Sequence, residues 1–345
     1  MKTYLITGGA GFYGSILKEE LLKDSAFCVS IDLEADGYKA ENFIAIQGDI
    51  RDTKLLKEVF GKYQFDAIFH CAALLAHEVK DADKLWTSNV DGTRNIVQFA
   101  IENQCKKLLF ISSNCLWGNN FDNLVTEDEI ANPIEIYGKS KLEGEKILLE
   151  NKDKLNSVIF RSPTIIDEGR LGLLSLLFEF IDENRKVPMV GNGENKYQFI
   201  YAKDMVQAMK SALHYDKTEI FNIGSDDVKS FNEVYRYVIE KAGSKSKLFH
   251  FPKGLMTLAM KICYFLKISP LGPYQYKMIS ANFVFDTSKI KKELNFKPTL
   301  TNEEMLLKSY TYYHENRKEI ESRTNVSAHH KNAKMGVIKL LKWMM

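Results

Sequence analysis

The sequence predicts an α/β protein: a doubly wound, mostly parallel sheet with a smaller α/β domain packed against it. Three observations carry this expectation. Short apolar runs alternate with helical stretches through roughly the first half of the chain. The first apolar run enters a glycine-rich loop directly. The alternation then breaks down after Pro163.

Taken in order, the strand candidates are residues 3–7, 27–32, 43–47, 67–71, 108–112 and 157–161. Most are unbroken apolar runs rather than alternating ones, as strands covered on both faces require. Helical segments at 15–23, 53–62, 93–104 and 140–150 lie between them. Right-handed crossovers would set these helices on both faces of the sheet. Beyond Pro163 come a helical run at 171–181, a turn at 190–195, a strand and helix at 197–201 and 204–213, and a short strand at 220–223. The expected division is a first domain of 1–165 to which 196–224 returns, a second of 166–195 and 225–318, and a basic amphipathic tail at 319–345.

A chain of 345 residues can bury a full core without disulfides or metals. Its composition, 45% hydrophobic and 27% charged, excludes disordered, collagen-like and disulfide-scaffold classes. The 47 basic against 45 acidic side chains give no global electrostatic case for nucleic acid. Five scattered cysteines without a C-x-x-C predict buried thiols in a reducing compartment. The apolar run after Met1-Lys2 is too short for a signal peptide, and no stretch reaches the roughly 18 apolar residues of a membrane span. The nearest approach, 255–268, is interrupted by Lys261 and Lys267. A cytoplasmic protein is expected.

The loop Gly8-Gly9-Ala10-Gly11-Phe12-Tyr13-Gly14 stands between the first strand and a helix. Glycines at 8, 11 and 14 let the chain turn sharply off the strand, admit a pyrophosphate to the backbone and pack the helix close to the sheet. The second strand ends at Asp32, where a carboxylate can accept both ribose hydroxyls and would repel a 2′-phosphate. Strand, glycines, helix and acid together point to a Rossmann-like site for NAD rather than NADP. The pair Gly191 and Gly193 lacks the following helix signal and reads as a plain turn.

Tyr137 and Lys141 stand at i and i+4, on one face of a helix. An ammonium beside a phenol favours the phenolate, so the phenol can exchange a proton with a secondary alcohol. A second pair, Tyr237 and Lys241, has the same spacing but sits on an ordinary amphipathic helix, where an aromatic with a solvated lysine is the better reading. Tyr137 is singled out because it follows the strand ending in Ser112-Ser113, and ligands of open α/β sheets sit at the carboxyl ends of strands.

These motifs, together with Asp49-Ile50, His70-Cys71-Ala72-Ala73, Asn89-Val90-x-Gly92-Thr93, Trp117-Gly118 and Arg161-Ser162-Pro163-Thr164, resemble the extended short-chain dehydrogenase/reductases. The closest group is the NAD-dependent epimerase/dehydratase family. The likeness is good over about residues 1–225 and weaker to about 318. It implies Tyr137 as acid/base, Lys141 as its partner and a ribose contact, and Ser113 as donor to the substrate oxygen. Ser113 is preferred to Ser112 because it stands four residues before Trp117, where the family usually has a tyrosine. The same resemblance puts Phe12 and Tyr13 at the pyrophosphate through their N–H groups, and Asp49 and Ile50 beside the adenine. It puts Ala72, Ala73 and Leu74 along the cofactor, Asn89 toward the nicotinamide, and Pro163 and Thr164 against the nicotinamide amide.

The chain departs from the family pattern in three places. Asn114-Cys115 stands where dehydratases carry Asp-Glu, which argues against water loss; Cys115 reads best as a buried structural thiol. Lys196 and Lys277 stand where nucleotide-sugar members carry arginines, so they and Asn114 are the substrate candidates. The apolar 255–266 segment is read first as a core or dimer helix, with a membrane-facing helix as the alternative; a basic amphipathic 335–345 adds to the latter. No metal is expected, His329-His330 having no clustered partners. The resulting expectation is an NAD-dependent epimerase or 4-keto reductase/dehydrogenase on a sugar, most naturally a nucleotide-linked one, in a homodimer formed through 93–104 and 140–150. The rivals are a 3β-hydroxysteroid-dehydrogenase-like enzyme or an epimerase of lipid-linked substrates at a membrane surface, and a non-catalytic NAD-binding regulator.

Overall fold

A computed structural model describes residues 1–75, 81–266, 268, 271–322 and 342. Expectations falling on most of the 319–345 tail, including His329, His330 and the 335–345 segment, lie outside the described residues. In chain order the elements are β1 (Thr3–Thr7), α1 (Phe12–Lys23), β2 (Phe27–Asp32), β3 (Phe43–Gln47), α2 (Thr53–Lys62), β4 (Ala67–His70), α3 (Ala82–Trp86) and α4 (Gly92–Glu102). Next come β5 (Lys107–Ser113), α5 (Ile136–Glu150), β6 (Asn156–Ser162), β7 (Thr164–Ile166), α6 (Leu174–Asp182), β8 (Val187–Val190), β9 (Phe199–Tyr201) and α7 (Ala202–Ala212). The last are β10 (Glu219–Asn222), α8 (Phe231–Lys241), β11 (Leu248–Phe251), α9 (Lys253–Phe265), α10 (Pro273–Met278), α11 (Ser288–Leu294) and α12 (Asn302–Ser322).

Seven strands form one parallel sheet in the order β10-β6-β5-β4-β1-β2-β3. Both faces are covered. Leu17, Met205, Met209 and Ile290 belong to the apolar layer on one side, and Leu56, Ile96, Val97 and Ile147 to that on the other. This is the doubly wound, Rossmann-like sheet that the apolar runs predict. Strand order reverses between β1 and β4, so their carboxyl ends diverge into a crevice.

Two smaller parallel pairs, β7 with β9 and β8 with β11, lie outside the main sheet. Of these four strands, sequence patterning finds only β9. A layer of aromatic side chains that includes Trp117, Tyr197, Tyr274, Phe283 and Phe285 fills the space beside the carboxyl ends of β5 and β6. A further core joins α6, α8 and α12 through Phe178, Val238 and Tyr313.

The core-helix reading of 255–266 is overturned. Helix α9 buries only Met260, while Leu255 is 63% and Phe265 83% exposed. A 3.6-residue apolar period looks the same whether the stripe meets a core or the outside. The cysteines also need correction: all five are free, but only Cys28 and Cys105 are buried, and Cys71, Cys115 and Cys263 are half-buried.

Candidate active site

The glycine loop is shaped by two steric demands. Gly8 has a φ of +76°, and a Cβ there would stand 2.7 Å from the Ala72 nitrogen. Gly14 lies so close to the incoming turn that a Cβ would stand 2.0 Å from the Gly8 carbonyl oxygen. Gly11 differs: its nearest contact would be at 3.3 Å, and its backbone is extended. The protein's own packing therefore demands less of Gly11, which caps α1. Phe12 and Tyr13 are the first two helical positions, where N–H groups and the helix dipole favour an anion.

Asp32 is held at the end of β2 by the Ala10 N–H at 2.9 Å and the Glu34 N–H at 3.0 Å. Beside it a groove is lined by Ile31, Asp49, Ile50, Ala73, Leu74 and Ser88, among others. The Asp49 carboxylate is gripped by the Arg51 guanidinium at 2.6 to 3.1 Å, and this pairing lowers its pKa. Leu74 is fixed by Asn89, which accepts from the Leu74 N–H at 2.7 Å and donates to the Leu74 carbonyl at 3.0 Å. Asn89 also donates to Ser140 at 3.0 Å. Its carboxamide thus ties the 72–74 wall of the groove to α5. The glycine cradle, the fixed acid and the apolar wall fit an adenine dinucleotide.

The second half of the site lies where α5 meets the end of β5. Lys141 is 3% exposed. It donates to the Ile111 carbonyl at 2.8 Å, lies 4.8 Å above the Phe110 ring, and stands 5.9 Å from the Tyr137 ring centre. Burial pulls its pKa down to about 8. The pair Tyr237 and Lys241 has nearly the same ring separation, 5.8 Å. Spacing sets the geometry of both pairs, and both tyrosines are half-buried, but Lys141 is buried where Lys241 is exposed.

Helix α5 is seated by Gly138, where a Cβ would stand 2.1 Å from the Cys115 carbonyl oxygen. That contact draws the turn bearing Tyr137 against the turn bearing Ser113. The two serines at the end of β5 have separate tasks. Ser112 donates to Glu145 at 2.5 Å inside the protein. Ser113 is on the other side of the strand, its hydroxyl accepting from the Cys115 N–H at 3.1 Å. Glu145 in turn grips Arg161 of β6 at 2.8 Å, a buried ion pair that fastens α5 to the sheet.

Asn114, a substrate candidate, donates to the Tyr197 hydroxyl at 2.6 Å, which lies 3.1 Å from that of Tyr274. Burial pushes the Tyr197 phenol up to about 12 and the Cys115 thiol up to about 11. Tyr197 and Tyr274 were not found in the sequence; their only local signal is that Tyr197 follows candidate Lys196 directly and Tyr274 stands three residues before candidate Lys277. The lysines themselves, Lys196 and Lys277, are exposed. Neither joins the Ser113–Asn114–Tyr197–Tyr274 network among the described residues. Pro163 is buried and Thr164 half-buried at the end of β6, beside this network.

Comparison with known proteins finds relatives in both sequence and fold. A model of the NAD dependent epimerase/dehydratase family matches residues 4–224. An uncharacterized protein of Sinorhizobium fredii is 32% identical over 345 residues, covering 99% of this chain and 86% of that one. A UDP-N-acetyl-alpha-D-glucosaminuronate decarboxylase of Bacillus cytotoxicus is 28% identical, over 91% of this chain and 98% of that one. The solved UDP-glucose 4-epimerase of Thermotoga maritima has the same fold, with a TM-score of 0.76 at 22% identity, covering 92% of this chain and all of that one.

Proposed function

Because the chain belongs to the NAD-dependent epimerase/dehydratase family, we propose that it oxidises and reduces a secondary alcohol of a nucleotide-linked sugar, as an epimerase or a 4-keto reductase. The observation that carries this reading is the Gly138–Cys115 contact, which brings the Tyr137 turn to the Ser113 turn with a desolvated lysine behind it. Relatives that act on UDP-sugars support the substrate class.

NAD, when bound, supplies a hydride acceptor that can return what it takes. Gly8, Gly11, Phe12, Tyr13, Gly14 and Asp32 would hold it, with Ile50 and Ala72, Ala73 and Leu74 along its adenosine half. The protein's own residues handle the proton. Ser113 holds the substrate oxygen by a hydrogen bond. Tyr137 removes that oxygen's proton and restores it in the reverse direction. Lys141, charged below about pH 8, favours the phenolate. Asn114 carries no carboxylate, so the site lacks the acid/base pair that water loss would need. A homodimer through α4 and α5, which pack side by side, completes the reading.

The test is to denature the purified protein and measure the nicotinamide released, in both redox states. Stoichiometric NAD, with interconversion of a UDP- or dTDP-hexose and no net redox change, supports an epimerase. An empty protein that turns over added NADH with a keto-sugar supports the reductase. Absence of nicotinamide binding in either form would refute the proposal.

A further inference from the structure

We propose that α9 and its lysine-rich flanks dock on an anionic lipid bilayer. The helix has 13 residues, about 20 Å of axis. Leu255, Leu258, Ile262 and Phe265 recur at helical spacing and are all more than half exposed. Leu266 continues the stripe just past the helix and is equally open. A face of this size and apolarity on one helix marks an interaction surface.

Charge identifies the occupant. Residues 241–285 contain seven lysines and no aspartate, glutamate or arginine. The rest of the chain holds 40 basic against 45 acidic side chains, so the positive charge is gathered in this one tract. Lys245, Lys247, Lys253, Lys261 and Lys277 are exposed along it. Phe249 of β11 is exposed among them. An apolar stripe in a tract whose only acidic or basic side chains, histidine aside, are lysines is the pattern of a helix lying in the plane of an anionic interface. A second copy of the same face would bring lysine against lysine, which disfavours self-association.

The surface is joined to the site. Helix α9 packs on α10 through Tyr264 and Tyr276, and Lys253 donates to the Ser280 carbonyl at 3.1 Å. Helix α10 carries Tyr274 into the Asn114–Tyr197 network. Docking therefore sets the substrate side of the crevice close to the membrane. This inference stands whichever reaction the site performs.

The experiment is co-flotation of the full-length protein with large vesicles of phosphatidylcholine alone or mixed with phosphatidylglycerol, at low and high salt. Binding should rise at least tenfold with the anionic lipid and fall as salt is added. Leu258→Glu together with Phe265→Glu should reduce it at least tenfold, with the thermal melt and NAD binding unchanged. Three results would overturn the proposal. One is that the wild type fails to float on anionic vesicles. Another is that the double variant floats like wild type, as when Lys339→Glu with Lys342→Glu alone abolishes flotation and so assigns it to the tail. The third is a dimer in sedimentation velocity that the α9 variants dissociate, making the face a subunit interface.

Discussion

His70 shows how a single side chain can serve the site without touching substrate. Thr93 donates its one hydroxyl proton to the Asn89 carbonyl at 2.6 Å, so it must accept from His70 Nε2–H at 2.8 Å. His70 Nδ1 then accepts from Thr7 at 2.6 Å. The imidazole is locked neutral, and burial, with Lys141 nearby, pulls its pKa to about 3. The unfolded chain binds a proton near pH 6.5, the folded one only near 3, so stability is lost as pH falls through that window. The loss reaches about 5 kcal/mol by the acid end. Urea titrations of His70→Gln should show a flatter stability profile between pH 6.5 and 3, on a lower plateau. Lys141 has the opposite limb. Its charge costs most below pH 8, and the cost is relieved between 8 and 10.5. Lys141→Met should remove that alkaline rise in thermal midpoint. In the same variant, kcat should fall by about 10² or more, and the pH of half-maximal rate should move upward. A variant with an unchanged pH–rate profile would deny Lys141 its electrostatic role.

At the level of elements, close approach matters more than hydrogen bonding. Gly138→Ala adds a Cβ that must push the first turn of α5 away from Cys115 and Pro133. Steady-state kinetics should show kcat reduced by about 10² while NAD affinity changes little. Gly61→Ala in α2 is the control, since its Cβ meets nothing within 4 Å. It should leave kcat unchanged and stabilise the protein by about 1 kcal/mol. The main strands and the Tyr137–Lys141 helix are legible in the sequence because period and spacing are local. Strands β7, β8 and β11 are not: they are three or four residues long and pair across tens of residues, β8 with β11 and β7 with β9. Tyr197 and Tyr274 escape for the same reason, being 77 residues apart in the chain and 3.1 Å apart at their hydroxyls.

Across the whole molecule, the site is assembled from the carboxyl edge of one sheet and a layer of aromatics brought in from the later chain. The fold class was readable because a buried parallel sheet needs unbroken apolar runs. The environment of α9 was not, because patterning reports a stripe without saying what lies against it. The last strand of the sheet, β10, comes from residues 219–222 and pairs with β6. Its Asn222 N–H donates to the Glu127 side chain at 2.9 Å, while Arg161 donates to the Glu127 carbonyl at 2.7 Å. A fragment ending at residue 165 would leave β6 with an open apolar edge and Glu127 short of a partner. Such a fragment should aggregate, and light scattering of refolded 1–165 against refolded 1–224 would check it. On the ribosome, β1 and its glycine loop are therefore made well before the strand that closes their sheet. Until residue 222 has emerged, the nascent protein carries an unfinished edge, and that interval is when a chaperone would have most to protect.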